Sequence, residues 1–420
     1  MERMNTTQTA SRRVWIVCGL LLLASSINYM DRQTLANAAV RITREFSLNH
    51  EQYGNLEAWF GYAFAAGSLF FGFLADRLPL RWLYAAVVAL WSIAGFMTGT
   101  AESHQDLLLY RTLLGFCEGG HWPCAIKATR VLLDARDRSL GNSVLQSGTS
   151  IGAIITPLLM QSLMTPAIGS WRGAFQVIAL IGVLWIVLWL FIVRKSDLVP
   201  RAEDAVPAAS DRISLWRLVL SRRMLVIFGV IACINTTWQI MRAWLPKFLQ
   251  EGRGWTESDA LYFNSAWFVA TDIGCLGAGA TAVWLARRGL PVTRARLIVF
   301  SACGLLVLAS ALAPFIEQGA ALMIVLMIAG AGALGLFPIY HAFTQDISGN
   351  RQGRITGIAS VAAWILPAWA QRGFGWLADT TGSFNTGFIA AAFLPLLAAF
   401  ILVFGWGRDT PSPSPSSSSS

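Results

Sequence analysis

VWIVCGLLLLASSINYM, residues 14–30, runs directly into Asp31 and Arg32. Seventeen residues pass without a charge, and then an acid and a base stand side by side at the end of the run. A bilayer core is crossed by about 20 predominantly apolar residues in a helix. The run is too long for the core of a secretory leader and has no clear small-residue cleavage site, so it reads as an uncleaved first membrane span.

Similar runs recur along the chain. Spans are expected near 14–36, 53–75, 82–100, 106–130, 140–163, 173–193, 224–247, 259–285, 297–316, 320–345, 354–378 and 384–406. The composition agrees: 55% of the 420 residues are hydrophobic and 13% are charged, against about 25% charged in a soluble domain. The 18 Trp residues suit a chain with two membrane interfaces. The longest polar interior segment, 194–223, divides the runs into six and six. The expected organisation is a tail (1–13), a first bundle (14–193), a linker (194–223), a second bundle (224–406) and a low-complexity, disordered tail (407–420) ending in PSPSPSSSSS. The fold class is therefore all-α membrane protein, twelve transmembrane helices in two pseudo-symmetric six-helix bundles.

Charge sets an expected orientation. With both termini inside, most of the 32 Lys and Arg residues fall in segments on the termini's side, such as Arg77, Arg81, Arg287 and Arg288. Few, including Arg41, Arg44 and Arg172, fall opposite, as the positive-inside rule requires. The same distribution accounts for the net charge of +9 without nucleic acid. The six Cys lie in apolar stretches without metal-ligand spacing, so neither disulfides, a metal nor a cofactor is expected. No GK[ST] phosphate loop and no catalytic constellation occurs, which argues against an ATP-driven pump and against an enzyme. The short tails leave no room for a signalling domain and argue against a receptor.

Charges inside spans cost at least about 2.5–3.5 kcal/mol each on insertion scales, and they mark pathways or helix contacts. Asp31 and Arg32 could partly neutralise each other or reach an interface. Arg111 and Glu118 lie seven apart in the fourth run, on one face of a helix. A carboxyl at mid-membrane could load and release a proton, while Arg111 could grip a carboxylate with two parallel hydrogen bonds. The alternative is an ion pair between helices. Arg242 could snorkel outward or serve function. Asp272 could be a protonatable group or a packing contact. Gln345, at the end of the tenth run, could gate, cap or contact substrate, and Lys127 snorkels inward.

The loop Gly72-Phe-Leu-Ala-Asp76-Arg77-Leu-Pro-Leu-Arg81 resembles the signature loop of the major facilitator superfamily. There, Gly72 would allow close helix contact, while Asp76, Arg77 and Arg81 would form a charge network with Asp272 in a gating role. The matching loop of the second half, Leu285 to Gly289, lacks the acid. Within the superfamily, NYMDRQTL (28–35), RTLLGFCEGGHWPCAIKA (111–128), RSLGNSVLQSGTSIGAIITP (138–157), WLPKFL (244–249) and TQDISGNRQGRITG (344–357) resemble the anion:cation symporter family, most of all its bacterial hexuronate and D-galactonate branches. The resemblance implies a monomeric, proton-coupled symporter of a small organic anion in a bacterial inner membrane, with the lipid bilayer and protons as its other partners. It implies Asp31 and Glu118 as proton-coupling carboxylates. It places Tyr29, Arg32, Arg111 and Thr149 at the substrate, with Tyr62 and Phe64 where the family often has one Tyr. Hexuronate is the favoured substrate; galactonate, glucarate, an aromatic carboxylate, a dicarboxylate, a sugar phosphate, or uncoupled transport stay open. Arg242 and the bulky eleventh run with Trp364, Pro367, Trp369 and Arg372 depart from the pattern.

Overall fold

The structure, a computed structural model, describes the backbone of residues 2–133, 138–198, 219–348 and 352–406, with side chains from residue 12 onward except 138–140, 345–348 and 352–357. Most of the 194–223 linker and the 407–420 tail thus lie outside the described residues, as does the side chain of Gln345.

Fourteen helices carry the described chain: α1 (Glu2–Asn37), α2 (Ala39–Glu45), α3 (His50–Arg77), α4 (Leu80–Thr98), α5 (His104–Glu118), α6 (His121–Leu132), α7 (Arg138–Leu163), α8 (Trp171–Ile192), α9 (Arg222–Lys247), α10 (Glu257–Arg287), α11 (Val292–Leu308), α12 (Ala320–Ser348), α13 (Gln352–Thr381) and α14 (Asn385–Gly405). Among the described residues, ten segments are long and apolar enough to cross a membrane. The fourth expected span is present as the pair α5–α6, and the eleventh as the long but more polar α13. Short polar caps start the apolar helices. Asn49 and Gln52 form a reciprocal capping box on α3, and Ser103 and Thr256 accept from the backbones of Asp106 and Asp259. These bonds satisfy amides that a helix start leaves open.

The break in the fourth run has a local cause. Pro123 has no N–H to return to the carbonyl of Gly119, four residues back. That carbonyl accepts instead from the Ser68 hydroxyl of α3, at 3.1 Å. The single helix expected over 106–130 therefore ends at Glu118 and restarts at His121.

Helices α1 and α3–α8 pack on one another, as do α9–α14, and the two sets meet where α3 crosses α13, α7 crosses α10 and α1 crosses α9. Close approach depends on missing side chains: a Cβ on Gly115 or Gly67 would overlap the carbonyl oxygens of Phe60 and Phe116. Gly115→Ala is expected to cost about 1–3 kcal/mol and to lower the thermal midpoint of the solubilised protein. Gly19→Ala, where a methyl group meets nothing within 4 Å, is the control and should leave it unchanged. Gly72 does not play the expected part, since a methyl there would reach Pro123 at an ordinary 3.8 Å. Large apolar side chains such as Leu276, Phe315 and Phe404 face outward, as a lipid-bathed surface requires.

One set of polar ties between the halves gathers at the end where α2 lies. Arg41 grips Glu257 with two bonds of 2.7 and 2.6 Å. Lys247 donates to Thr43 at 2.9 Å, and Tyr53 to the carbonyl of Ala243 at 3.1 Å. The Asp379 carboxylate of α13 accepts from the backbone amides of His50 and Glu51, at 2.9 and 2.8 Å, and so caps α3 from across the interface. Deeper along the axis the halves touch through the Phe64 and Trp364 rings, centroids 4.3 Å apart, and through Ser150 and Asp272.

Candidate functional site

Beneath that closed end lie three arginines and three carboxylates. Asp31, Arg111 and Glu118 are 0% exposed, Arg242 2%, Glu57 3% and Arg32 4%. Ions this deep are tolerated only when paired or hydrogen-bonded, because desolvation costs several kcal/mol each.

On α1, successive residues point about 100° apart, so Asp31 and Arg32 go different ways and do not pair as the sequence suggested. Arg32 donates Nε to Glu118 Oε2 at 2.8 Å and Nη2 to Asn28 Oδ1, one turn back, at 2.6 Å. Its guanidinium lies 4.6 Å from the Phe64 ring, 5.2 Å from Trp364 and 5.8 Å from both Phe60 and Tyr29, close enough for cation–π attraction. Asp31 instead faces Gly95 of α4, where a methyl group would come within 3.2 Å of Oδ1. Neither of its oxygens has a hydrogen-bond partner among the described residues.

The helix break after Glu118 matters here. Glu118 and Arg111 stay on one helix, but Glu118 pairs with Arg32 of α1, an ion pair between helices. Arg111 stands against the Phe60 ring at 4.4 Å. Its three guanidinium nitrogens make no hydrogen bond among the described residues, and the nearest carboxylate oxygen, Glu57 Oε1, is 4.0 Å away.

Arg242 does not snorkel. It turns inward across the interface, donating to Glu57 Oε2 at 2.5 Å, to Gln239 at 2.7 Å and to the carbonyl of Arg32 at 3.3 Å. Glu57 was absent from the sequence-based candidates because it falls near the start of its run and reads as an interface residue. A signal existed: it precedes Phe60 and Phe64 at helical spacing, on one face of α3, and a buried arginine needs an acid.

The remaining candidates divide. Tyr29 is buried edge-on to Phe268 of α10, and Phe64 lines the Arg32 cage. Tyr62 lies away from the cluster, against half-exposed Trp59. Thr149 is half-buried and donates to its own helix at the carbonyl of Gln146. Its neighbour Ser150 reaches Asp272 across the halves at 2.6 Å. At the end opposite α2, Asp76 pairs with Lys127 at 3.7 Å. Lys127 also donates to the carbonyl of Ala75. Arg77 stacks on Phe73, and Arg81 binds the carbonyls of Leu190 and Val193. These residues do not form the expected Asp76–arginine network among the described contacts. An apolar crevice of about 300 Å³ lined by Gly274, Thr281, Cys303 and Leu306 lies elsewhere and holds none of the cluster.

Two helical bundles that span a membrane and meet over buried, partly unpaired ions define a transporter. The chain belongs to the Major Facilitator Superfamily, whose family profile matches residues 21–371. It is 25% identical over 412 residues to a probable sulfoacetate transporter of Cupriavidus necator, covering 93% of each chain. It is 23% identical over 403 residues to the hexuronate transporter of Escherichia coli K12, covering 92% of this chain and 93% of that one. A D-galactonate transporter of Escherichia coli O6:H1 is 26% identical over 320 residues, 70% of this chain and 73% of that one. Among solved structures, a bacterial homologue of the human lysosomal transporter Spinster superimposes with a TM-score of 0.76 at 16% identity, covering 95% of this chain and 99% of that one.

Proposed function

We propose that this protein is a proton-coupled symporter that imports a small organic anion, a sugar acid of the hexuronate class, through a bacterial inner membrane. The observation that carries the reading is Arg111: a wholly buried guanidinium, beside two paired ones, with no hydrogen-bond partner among the described residues. A carboxylate is the chemical group that satisfies such a fork with two parallel bonds. Arg32 and Arg242 add positive potential, and the Phe60, Phe64 and Trp364 rings supply an apolar wall. Asp31 and Glu118 are the proton carriers in this scheme. Glu118 reports substrate-side events through Arg32, whereas Asp31 lies behind it against α4.

The distribution of Lys and Arg supports an orientation with both termini in the cytoplasm. The α2 end then faces outside, and the polar ties there close the external entrance. The bundles 14–193 and 224–406, joined by the 194–223 linker, rock about the cluster in a monomer, the usual plan for paired repeats. The hexuronate and galactonate relatives support a sugar acid.

A second reading, a compact two-headed anion, has its own support. Arg111 and Arg242 both approach one carboxylate, Glu57, at 4.0 and 2.5 Å, so two adjacent guanidiniums could each take one anionic group. The relative named for sulfoacetate fits this variant.

Purified protein in proteoliposomes decides between them. With a proton gradient directed into the vesicles, D-glucuronate or D-galacturonate should accumulate and alkalinise the medium. Accumulation of sulfoacetate alone would favour the second reading. Uptake of any of these without external alkalinisation would refute proton coupling.

A further inference from the structure

Glu57 is a resident carboxylate in a site read as a carboxylate site. It projects from α3 of the first bundle, and its partner Arg242 belongs to α9 of the second, at 2.5 Å. Its other oxygen, Oε1, makes no hydrogen bond among the described residues and forms a long ion pair of 4.0 Å with Arg111. Tyr53, one turn earlier on α3, is spent on the carbonyl of Ala243. Gln239 of α9 is spent on Arg242, and Gln371 of α13 on Trp244 and the carbonyl of Gln239. The acid thus has two arginines in reach and no other strong donor.

Resting on the carboxylate-binding reading, we infer that Glu57 is a tethered stand-in for the substrate's carboxylate. In the anion-free protein it neutralises Arg242, screens Arg111 and ties the two bundles below the α2 end. An arriving carboxylate takes its place between the two guanidiniums. Two consequences follow from the same electrostatics. The empty carrier favours the state closed at the α2 end, since parting α3 from α9 separates a buried acid from a buried base, and breaking such a pair is unfavourable. Affinity is held down, because each substrate must displace an internal competitor at high effective concentration.

Glu57→Gln keeps the shape and removes the competing charge. Its two effects are measurable on the full chain in detergent. Acetate serves as the probe for any carboxylate site and D-glucuronate as the probe for the proposed substrate class. Calorimetry should show E57Q binding acetate at least fivefold more tightly than wild type. Without any anion, hydrogen–deuterium exchange of residues 50–61 and 368–381 should be at least tenfold faster in E57Q, because Arg111 and Arg242 are left without a counter-charge. Saturating acetate should restore the slow exchange of wild type. A merely structural brace predicts the reverse for binding: affinity unchanged or weaker in E57Q, with exchange that acetate does not slow, and that result overturns the inference. If E57Q gains acetate affinity while D-glucuronate binds neither form, the stand-in role holds and the sugar-acid reading fails. Should E57Q not fold, Glu57→Asp withdraws the carboxylate by one methylene and is expected to show the same changes in smaller degree. Wild-type affinity and exchange in E57D would then refute the role.

Discussion

Glu118→Gln is expected to abolish accumulation of substrate against its gradient while exchange of internal for external substrate remains measurable. The glutamine fills the same wholly buried space at the end of α5, and its carbonyl oxygen can still accept from Arg32 Nε, which donates to Glu118 at 2.8 Å. What it cannot do is carry a proton. Exchange requires the loaded carrier to cross in both directions, which needs no net proton transfer. Accumulation requires the empty carrier to return, and each coupled proton contributes about 1.4 kcal/mol, a factor of ten in the concentration ratio, per unit of pH gradient. The variant's accumulation ratio in proteoliposomes should fall to unity under a gradient that drives wild type. Continued concentration by E118Q would remove Glu118 from the coupling path and leave Asp31 to carry it.

The second large effect is expected at Arg32. Arg32→Gln removes the donor to both Glu118 and Asn28 and empties an aromatic cage formed by Phe60, Phe64, Trp364 and Tyr29. A buried carboxylate is left without its base, which typically costs about 3–5 kcal/mol. The thermal midpoint should drop markedly and anion binding should be lost. The double variant R32Q/E118Q discriminates between the two losses. With no stranded charge it should recover most of the stability but none of the binding. Recovery of neither would mean that the pair matters through packing and not through charge.

Much of this was legible in the sequence, for identifiable reasons. Apolar runs of membrane length announce themselves, because lipid permits few alternatives to a helix. The residues Asp31, Arg32, Arg111 and Glu118 stood out as charges where charges are costly. Their pairing did not. Neighbours on a helix diverge by about 100°, so the adjacent Asp31 and Arg32 share no partner, and Arg32 finds Glu118 on another helix. The helix break at Gly119 and Gly120 was present in the letters as Pro123, but its rescue by Ser68 depends on a crossing that only the folded chain reveals. Arg242 was left open between two readings for a similar reason. Near a helix end, an arginine can turn either to water or to the interior, and the acid that turns it inward, Glu57, lies 185 positions away. Tyr62 illustrates the opposite error: two positions from both Phe60 and Phe64, it faces Trp59 and not the cluster.

The cap that Asp379 places on α3 gives the closed end a distinctive sensitivity. Its bonds to the amides of His50 and Glu51, and the neighbouring Arg372–Glu51 pair at 2.8 Å, are water-exposed. Dissolved salt screens such contacts over about 8 Å at physiological strength, while the ions around Arg111 lie out of its reach. Ionic strength therefore acts on the rim and not on the heart of the molecule: brine loosens the exposed latch and leaves the lock's interior as it was.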